Sequence, residues 1–197
     1  MSRSHHAKAV CGGDAPSPSV ECDVFVAIPK PTGGEAPLAR SATRSSQLHI
    51  ANRQRVQKIN LRLLKKITNA LLTELEIEKA EIGICLVAAP EMTRLNETFL
   101  RHAGSTDVIT FDYRDSVLPS GCRKHVHGEI FVCVDEAVLQ ARKFGTSWES
   151  EVIRYLVHGV LHLLGFDDSS AGARRKMKPE ENRRLREIAR RFLLSKL

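Results

Sequence analysis

Long apolar runs and aromatic side chains are scarce in this sequence. Phe, Trp and Tyr make up 5% of the 197 residues, so a hydrophobic core has to be built mainly from Leu, Ile and Val. No segment approaches the about 20 apolar residues that cross a bilayer. The N-terminus also lacks the continuous apolar segment of a secretory signal. We therefore predict a cytoplasmic protein with no membrane partner.

The five cysteines form no CxxC pair and are widely scattered. An odd number at such spacing argues against a disulfide framework and against a thiolate zinc site. Cys85 and Cys133 lie in apolar, strand-like segments, where a cysteine is usually a small core residue.

Residues 1–47 differ in composition from the rest of the chain. They are rich in Ser, Pro, Gly and Ala and hold most of the eight prolines. This composition predicts a mostly disordered extension, followed by a folded domain over residues 48–197. Two alternatives for the extension stay open. It could be an organelle transit peptide, although Asp14 and Glu21 disturb the acid-poor pattern, or the product of an over-extended start codon.

The net charge of +7 is concentrated at one end of the chain. Residues 171–197 hold ten Lys and Arg against three Glu, and this segment alone accounts for the whole excess. A concentrated basic element predicts a polyanionic partner, of which nucleic acid is the first candidate. A solvated helix face is the alternative interpretation.

Hydrophobic periodicity divides residues 48–197 into strands and helices in mixed order. Strands are predicted at residues 48–51, 82–88, 107–113 and 129–134. Helices are predicted at residues 56–75, about 90–99, 135–144, about 146–164 and about 179–194. This order predicts an α+β fold with a small mixed four-stranded sheet and about five helices. The candidate metal site described next would lie at the end of a central helix.

The main functional signal lies within residues 158–168. On a helix, His158 and His162 project from one face about one turn apart, so both imidazoles can reach one cation. Gly165 permits a turn of positive φ, after which Asp168 can return toward the same ion. Two imidazoles and a carboxylate leave a fourth position open for water, as catalytic zinc requires.

A chance pair of histidines is the alternative interpretation of this pattern. Here, however, His158 and His162 lie in an otherwise apolar helix, where burying an imidazole costs free energy unless it finds a partner. The glycine turn and the acidic pair then follow at a distance that closes a three-ligand site. The sequence therefore predicts one bound Zn²⁺ held by His158, His162 and Asp168.

The same spacing is also similar to that of metzincin proteases, H-E-x-x-H-x-x-G-x-x-H. Asp168 stands at the third ligand position, which zinc accepts. Gly159, however, stands where those proteases have the glutamate that activates the zinc-bound water. Because glycine cannot act as a base, this departure disfavours a metallopeptidase.

Three blocks of residues resemble the YbeY family of metal-dependent endoribonucleases. Residues 158–167 match its signature H-G-x-L-H-L-x-G-[YF]-D throughout. A second block, Leu95-Asn96 followed by Arg101 and the segment 105–111, is similar to the family's L-N-x-x-[YF]-R and T-D-V-L-S-F pattern. A third block is Gly128-Glu129-Ile130. The blocks keep the family's order, and the resemblance covers about residues 48–197.

The resemblance implies a single-strand endoribonuclease that processes ribosomal RNA, notably the 3′ end of small-subunit rRNA, and takes part in ribosome quality control. Its implied partners are single-stranded RNA and the small ribosomal subunit with its associated factors. Zinc is the implied metal, with nickel also found in such sites. The family's third metal-binding histidine aligns with Asp168, and we expect Asp167 to orient a ligand.

Residue roles in catalysis follow as hypotheses. We expect His158 and His162 to act through the metal, and Arg101 to clamp a phosphate with its bidentate guanidinium. Thr106 and Asp107 are expected to shape the loop beside the site, and no general base is identified. A non-catalytic ribosome-associated module with a structural metal is a further alternative, which should have four protein ligands rather than three.

Overall fold

A mixed β-sheet organises the residues that the computed structural model describes, which are 8–10, 45–114 and 125–197. The strands are β1 (Lys8–Val10), β2 (Ser45–Asn52), β3 (Lys79–Val87), β4 (Val108–Asp112) and β5 (His125–Cys133). Their order across the sheet is β1-β4-β5-β3-β2. β2, β3 and β5 run parallel, whereas β4 pairs antiparallel with both β5 and β1.

Five α-helices surround this sheet. They are α1 (Leu61–Glu74), α2 (Ala89–Leu95), α3 (Val134–Phe144), α4 (Trp148–Leu163) and α5 (Ala171–Arg191). A π-helical turn, Asn96–Leu100, extends α2, and a 3₁₀ turn, Leu194–Lys196, follows α5. Across the described ranges, none of these helices has the length and apolar character needed to span a bilayer.

The two faces of the sheet carry different cores because successive strand residues point to opposite sides. Ile130 and Val132 of β5 face the larger core, which also contains buried residues of α1, α4 and α5. Phe131 of β5 faces a smaller cluster with Met92 of α2 and Phe111 of β4. The larger core therefore fixes α4, the helix that carries the candidate metal ligands.

The predicted α+β fold, with its mixed sheet and five helices, is confirmed. Several element boundaries differ from the prediction. β5 begins at His125 rather than Glu129. α1 begins at Leu61 because the side chain of Asn60 accepts a hydrogen bond from the backbone N–H of Leu63 and caps the helix. α4 is likewise capped by Ser147, one residue after the predicted position.

The predicted start of the basic helix at Pro179 is wrong. α5 begins eight residues earlier, after the N-cap Ser170, and Pro179 lies inside it. Proline removes one helical hydrogen bond and costs about 3 kcal/mol in a helix interior. The buried residues Met177 and Glu181 on either side of Pro179 show that packing against the rest of the protein outweighs this cost.

A fifth strand falls within the segment predicted to be disordered. Residues 8–10 form β1, which pairs with β4 at the edge of the sheet, and residues 45–47 belong to β2. These two short ranges do not decide the predicted disorder of residues 1–47, which stays a prediction. For the remainder of residues 1–44, and for the centre of the predicted loop 114–127, the predictions lie outside the described residues.

Candidate metal centre

Helix α4 presents two imidazoles on one face near its C-terminal end. His158 and His162 are separated by one helical turn, and their ring centroids lie 4.6 Å apart. Most of α4 is apolar and buried, so the packing of the helix against the core holds both imidazoles in place. The side chain of His162 is only 4% exposed, whereas that of His158 is 18% exposed.

A glycine turn after α4 reverses the chain toward these imidazoles. Gly165 has a φ of 87°, a conformation that glycine adopts without a steric penalty. Its N–H donates to the carbonyl of His162 over 2.8 Å, and the N–H of Phe166 donates to the carbonyl of Leu161 over 3.0 Å. This pair of bonds is a Schellman motif, and it sends Asp168 back to the face that carries the histidines.

The structure brings the three predicted metal ligands together. His158, His162 and Asp168 each offer a ligand atom, and these atoms lie within 4.8 Å of one another. The Nε2 atoms of the two histidines are 2.9 Å apart. The carboxylate oxygens of Asp168 lie 3.5 Å from Nε2 of His158 and 3.6 Å from Nε2 of His162.

Nδ1 of each imidazole, the ring nitrogen that does not face the other histidine, lies close to an oxygen atom. Nδ1 of His162 lies 3.0 Å from the carbonyl oxygen of Phe166, which can only accept a hydrogen bond. Nδ1 of His158 lies 3.1 Å from a carboxylate oxygen of Glu181. Burial acts to raise the pKa of Glu181, but hydrogen bonds from His158 and two basic side chains outweigh it and bring that pKa to about 2. Both Nδ1 atoms therefore carry the proton.

This arrangement fits a bound cation. When both rings are neutral and carry their proton on Nδ1, the two Nε2 lone pairs face each other at 2.9 Å, which is repulsive unless a proton or a cation lies between them. Zinc bonds of about 2.0–2.2 Å in tetrahedral geometry place neighbouring ligand atoms about 3.3 Å apart. The two Nε2 atoms are 2.9 Å apart, somewhat less than this value, and the distances to Asp168 are somewhat more, 3.5 Å from Nε2 of His158 to Oδ2 and 3.6 Å from Nε2 of His162 to Oδ1.

The electrostatics of the site favour neutral imidazole at His162. Burial lowers the pKa of His162, and the adjacent His158 lowers it further, whereas Asp168 acts in the opposite direction. Neutral imidazole is the form that binds metals. The side chains of His158 and Asp168 are 18% and 16% exposed, so solvent reaches one side of the ligand set.

Gly159 packs tightly against the sheet beneath the site. A Cβ atom built on Gly159 would lie 2.6 Å from Cγ2 of Ile130 and 3.1 Å from the hydroxyl of Thr110. The side of α4 at this position therefore has no room for a glutamate side chain pointing into the sheet. This close approach adds a steric reason to the chemical one against a metzincin-like base at residue 159.

Asp107 lies near the histidines, at the start of β4. Burial raises the pKa of its carboxyl, while His158 and hydrogen bonds from Thr106 and Val108 act to lower it. One carboxylate oxygen accepts hydrogen bonds from the hydroxyl of Thr106 over 3.1 Å and from the N–H of Val108 over 2.9 Å. These local bonds are consistent with the expected loop-shaping role of Thr106 and Asp107.

Arg101 lies at the end of the π-helical turn, outside the ligand cluster. It adopts the left-handed conformation, with a φ of 56°, and its side chain is exposed. Among the described residues, the guanidinium makes no hydrogen bond or ion pair with His158, His162 or Asp168. Its role as a phosphate clamp stays a prediction.

One partner of the ligand imidazoles is a residue that the sequence pattern did not indicate. The carboxylate of Asp167 accepts hydrogen bonds from the N–H and hydroxyl of Ser169 in the turn that leads to α5, and its expected role in orienting a ligand stays a prediction. The carboxylate that contacts a ligand imidazole is that of Glu181, which the sequence analysis did not single out. The available signal was a glutamate on the apolar stripe of α5, between Met177 and Leu185.

The basic C-terminal segment is partly neutralised within the fold. Arg184 is buried and pairs with Glu180, while Arg183 pairs with Glu180 and Arg191 with Glu74. Other basic side chains of α5 are exposed and have no ion pair with another described residue. They are Arg175, Lys176, Arg186 and Arg190. These four are the better candidates for contact with a polyanion.

Together, the sheet and the three-ligand cluster define a small α+β protein with a candidate open metal centre of the kind that hydrolases use. Comparison with known proteins then places the chain in a family. The model of the family "Endoribonuclease YbeY" matches residues 48–189. The chain therefore belongs to the YbeY endoribonuclease family, and its activity class is that of a nuclease that cleaves within RNA.

Individual relatives agree with this assignment. The chain is 34% identical over 140 residues to the endoribonuclease YbeY of Chlorobium phaeovibrioides, covering 71% of this chain and 88% of the relative. It is 32% identical over 144 residues to that of Chlorobium luteolum, covering 73% and 99%. The solution structure of TM1509 from Thermotoga maritima matches with a TM-score of 0.52 and 26% identity, over 72% of this chain and 89% of that one.

Proposed function

We propose that the protein is a zinc-dependent endoribonuclease that cleaves single-stranded ribosomal RNA. Its implied task is maturation of the 3′ end of small-subunit rRNA, together with ribosome quality control. The observation that carries the proposal is the convergence of two Nε2 atoms, 2.9 Å apart, and one carboxylate whose oxygens lie 3.5 and 3.6 Å from them. Such a donor set fits a bound cation and would leave one coordination position for water or substrate.

The site residues would have separate roles in binding the metal and the phosphate. His158, His162 and Asp168 would hold the ion, which supplies a Lewis acid for a phosphate oxygen and lowers the pKa of coordinated water. Compared with the histidine that the family has at this position, the carboxylate of Asp168 would lower the net charge of the metal site by one unit. Arg101, whose side chain is exposed, would clamp a phosphate with its bidentate guanidinium.

The exposed basic side chains of α5 support RNA as the partner. If they contact the phosphate backbone, replacing Arg186 and Arg190 with Gln should weaken binding of single-stranded RNA. The slope of log K against log salt should then flatten by about 0.7 for each lost phosphate contact. Arg183→Gln is the matched control, because Arg183 is already paired with Glu180. Equal slopes for all variants would mean that α5 is only solvated.

The two other classes of function gain no support from the site. A metallopeptidase would need a base at the position of Gly159, where the sheet leaves no space. A structural metal site would need four protein ligands, and within the described part of the chain the cluster has three.

Cleavage of rRNA fragments tests the proposal directly. The purified full chain is incubated with single-stranded fragments of small-subunit rRNA, with zinc or with chelator, alongside His162→Ala. His49→Ala is the matched control, since His49 is exposed on β2 and outside the ligand cluster. We expect cleavage by the zinc-loaded wild type and by His49→Ala only. Equal cleavage in all samples would point to a contaminating nuclease and refute the proposed activity.

A further inference from the structure

Glu181 is a buried carboxylate whose environment is built by two helices. It lies on α5 with its side chain 3% exposed, although it belongs to the most basic segment of the chain. Its oxygens contact Nδ1 of His158 at 3.1 Å, the guanidinium of Arg154 at 3.0 Å and Nζ of Lys178 at 2.6 Å. A buried carboxylate is costly unless it is fully paired, and here every contact is with a donor.

The two oxygens of this carboxylate have separate partners. Oε1 accepts from Arg154 and from Lys178, which leaves Oε2 for Nδ1 of His158. Arg154 is itself held by Glu151 over 3.1 Å and by the side-chain oxygen of Asn182 over 3.0 Å. The position of Oε2 is therefore determined by a network that joins α4 to α5.

We propose that Glu181 is a positioning residue for the metal centre. By accepting the Nδ1 proton of His158, it selects the tautomer in which Nε2 carries the lone pair, and it turns that lone pair toward His162 and Asp168. The metal in this inference rests on the proposed function, whereas the tautomer of His158 is a property of the protein alone. Carboxylates that hold a metal-binding imidazole in this way raise its basicity as well as its order.

The two imidazoles are oriented by acceptors from different parts of the chain. His162 donates to the carbonyl of Phe166, a group placed by the turn that directly ends α4. His158 depends on a side chain 23 residues away, which reaches it only when α5 is docked on α4. Through Glu181, the orientation of the His158 imidazole therefore depends on the docking of α5 on α4.

Zinc affinity of matched variants measures this effect. The wild type, Glu181→Gln and Glu180→Gln are titrated with Zn²⁺ in competition with a chelating dye. A glutamine amide offers a single oxygen, for which Arg154 and Lys178 compete with His158, so we expect an affinity about 10–100-fold weaker. Glu180 pairs with Arg183 and Arg184 on the same helix and does not contact an imidazole, so its variant should bind as the wild type does.

The nitrogen-15 NMR shifts of the imidazoles give a readout that a purely structural role of Glu181 would not move. In the metal-free wild type we expect His158 to be protonated at Nδ1, and in Glu181→Gln we expect a mixture of both tautomers. A wild-type His158 protonated at Nε2 would overturn the proposal even if the variant failed to fold. Unchanged zinc affinity and tautomer in the variant would also overturn it.

The two proposals can fail separately. If the wild type binds no zinc but His158 shows the expected tautomer, and Glu181→Gln alters it, the metal is wrong and the positioning role stands. If the wild type binds zinc and Glu181→Gln binds it equally well, the positioning role is wrong and the metal centre stands.

Discussion

Helix α5 carries two polar assemblies, and they differ in how far water reaches them. The inner assembly lies where α5 packs on α4. It consists of Glu151, Arg154, Lys178 and Glu181, and it contacts His158. The outer assembly lies where the C-terminal half of α5 faces the end of α1. It consists of Glu74, Glu180, Arg183, Arg184, Glu187 and Arg191.

The carboxylates show the difference most directly. In the inner assembly, Glu151 and Glu181 are 6% and 3% exposed. In the outer assembly, Glu74, Glu180 and Glu187 are 17%, 21% and 33% exposed. A buried carboxylate that loses its cation stays uncompensated, whereas an exposed one is rehydrated and screened by salt. The same residue types should therefore have unequal effects on stability in the two assemblies.

Among the substitutions in these two assemblies, removal of Arg154 should lower the free energy of unfolding most. Arg154→Leu removes the cation that pairs with the buried Glu151 and leaves Glu181 with Lys178 and His158, and removing one partner of a buried pair costs about 3 kcal/mol or more. Urea denaturation of the metal-free protein would measure the change in the free energy of unfolding. A loss below about 1 kcal/mol, the range of exposed pairs, would mean that the two assemblies do not differ in the way proposed.

Arg184 should give an intermediate effect. It is the most buried cation of the outer assembly, 10% exposed, and its guanidinium donates to Glu180 over 2.7 Å and to the carbonyl of Glu74 over 3.2 Å. Arg184→Met keeps the aliphatic packing but removes these hydrogen bonds, so we expect a loss of about 1–2 kcal/mol. Zinc affinity should not change, because the outer assembly does not contact an imidazole. A weaker zinc affinity would show that the assemblies are coupled.

The inner assembly also shows what sequence reasoning could and could not predict. His158, His162 and Asp168 were predictable because they lie within eleven residues, where helical periodicity and one glycine turn determine their geometry. Glu181 depends on the way α5 crosses α4, which no local pattern encodes. Its position on an apolar stripe was the only local sign, and the charge of the neighbouring residues obscured it.

The remaining differences between prediction and structure arise where contacts with distant segments outweigh the local sequence pattern. Pro179 is typical of a helix start, yet the burial of Met177 and Glu181 keeps α5 continuous through it. Residues 8–10 belong to a segment of low hydrophobicity, yet they pair antiparallel with β4 at the edge of the sheet. Packing and edge pairing act between distant segments, so composition and periodicity could not predict either outcome.

Acid should weaken the outer assembly through Glu180. Hydrogen bonds from Arg183 lower the pKa of Glu180 below its usual value of 4.5, although burial opposes this, and Arg184 lowers it further. A lowered folded-state pKa stabilises the fold above the unfolded value, and this stabilisation is lost as the pH falls through the folded pKa. Glu180→Gln should therefore show a smaller loss of stability than the wild type between about pH 5 and 3. Parallel losses would assign the acid sensitivity to other groups.

Replacement of Arg183 should change the free energy of unfolding least, and it gives the reference value for an exposed ion pair. Its side chain is 49% exposed, and its pairs with Glu180 and Glu187 lie along the surface of one helix. Such pairs contribute about 0.5 kcal/mol or less and are screened by salt. Arg183→Ala should therefore change the free energy of unfolding by no more than this, and the difference should vanish in about 1 M salt, where the Debye length is about 3 Å. A loss comparable to that of Arg154→Leu would mean that exposure does not separate the two assemblies, because a mostly solvated pair would then matter as much as a buried one.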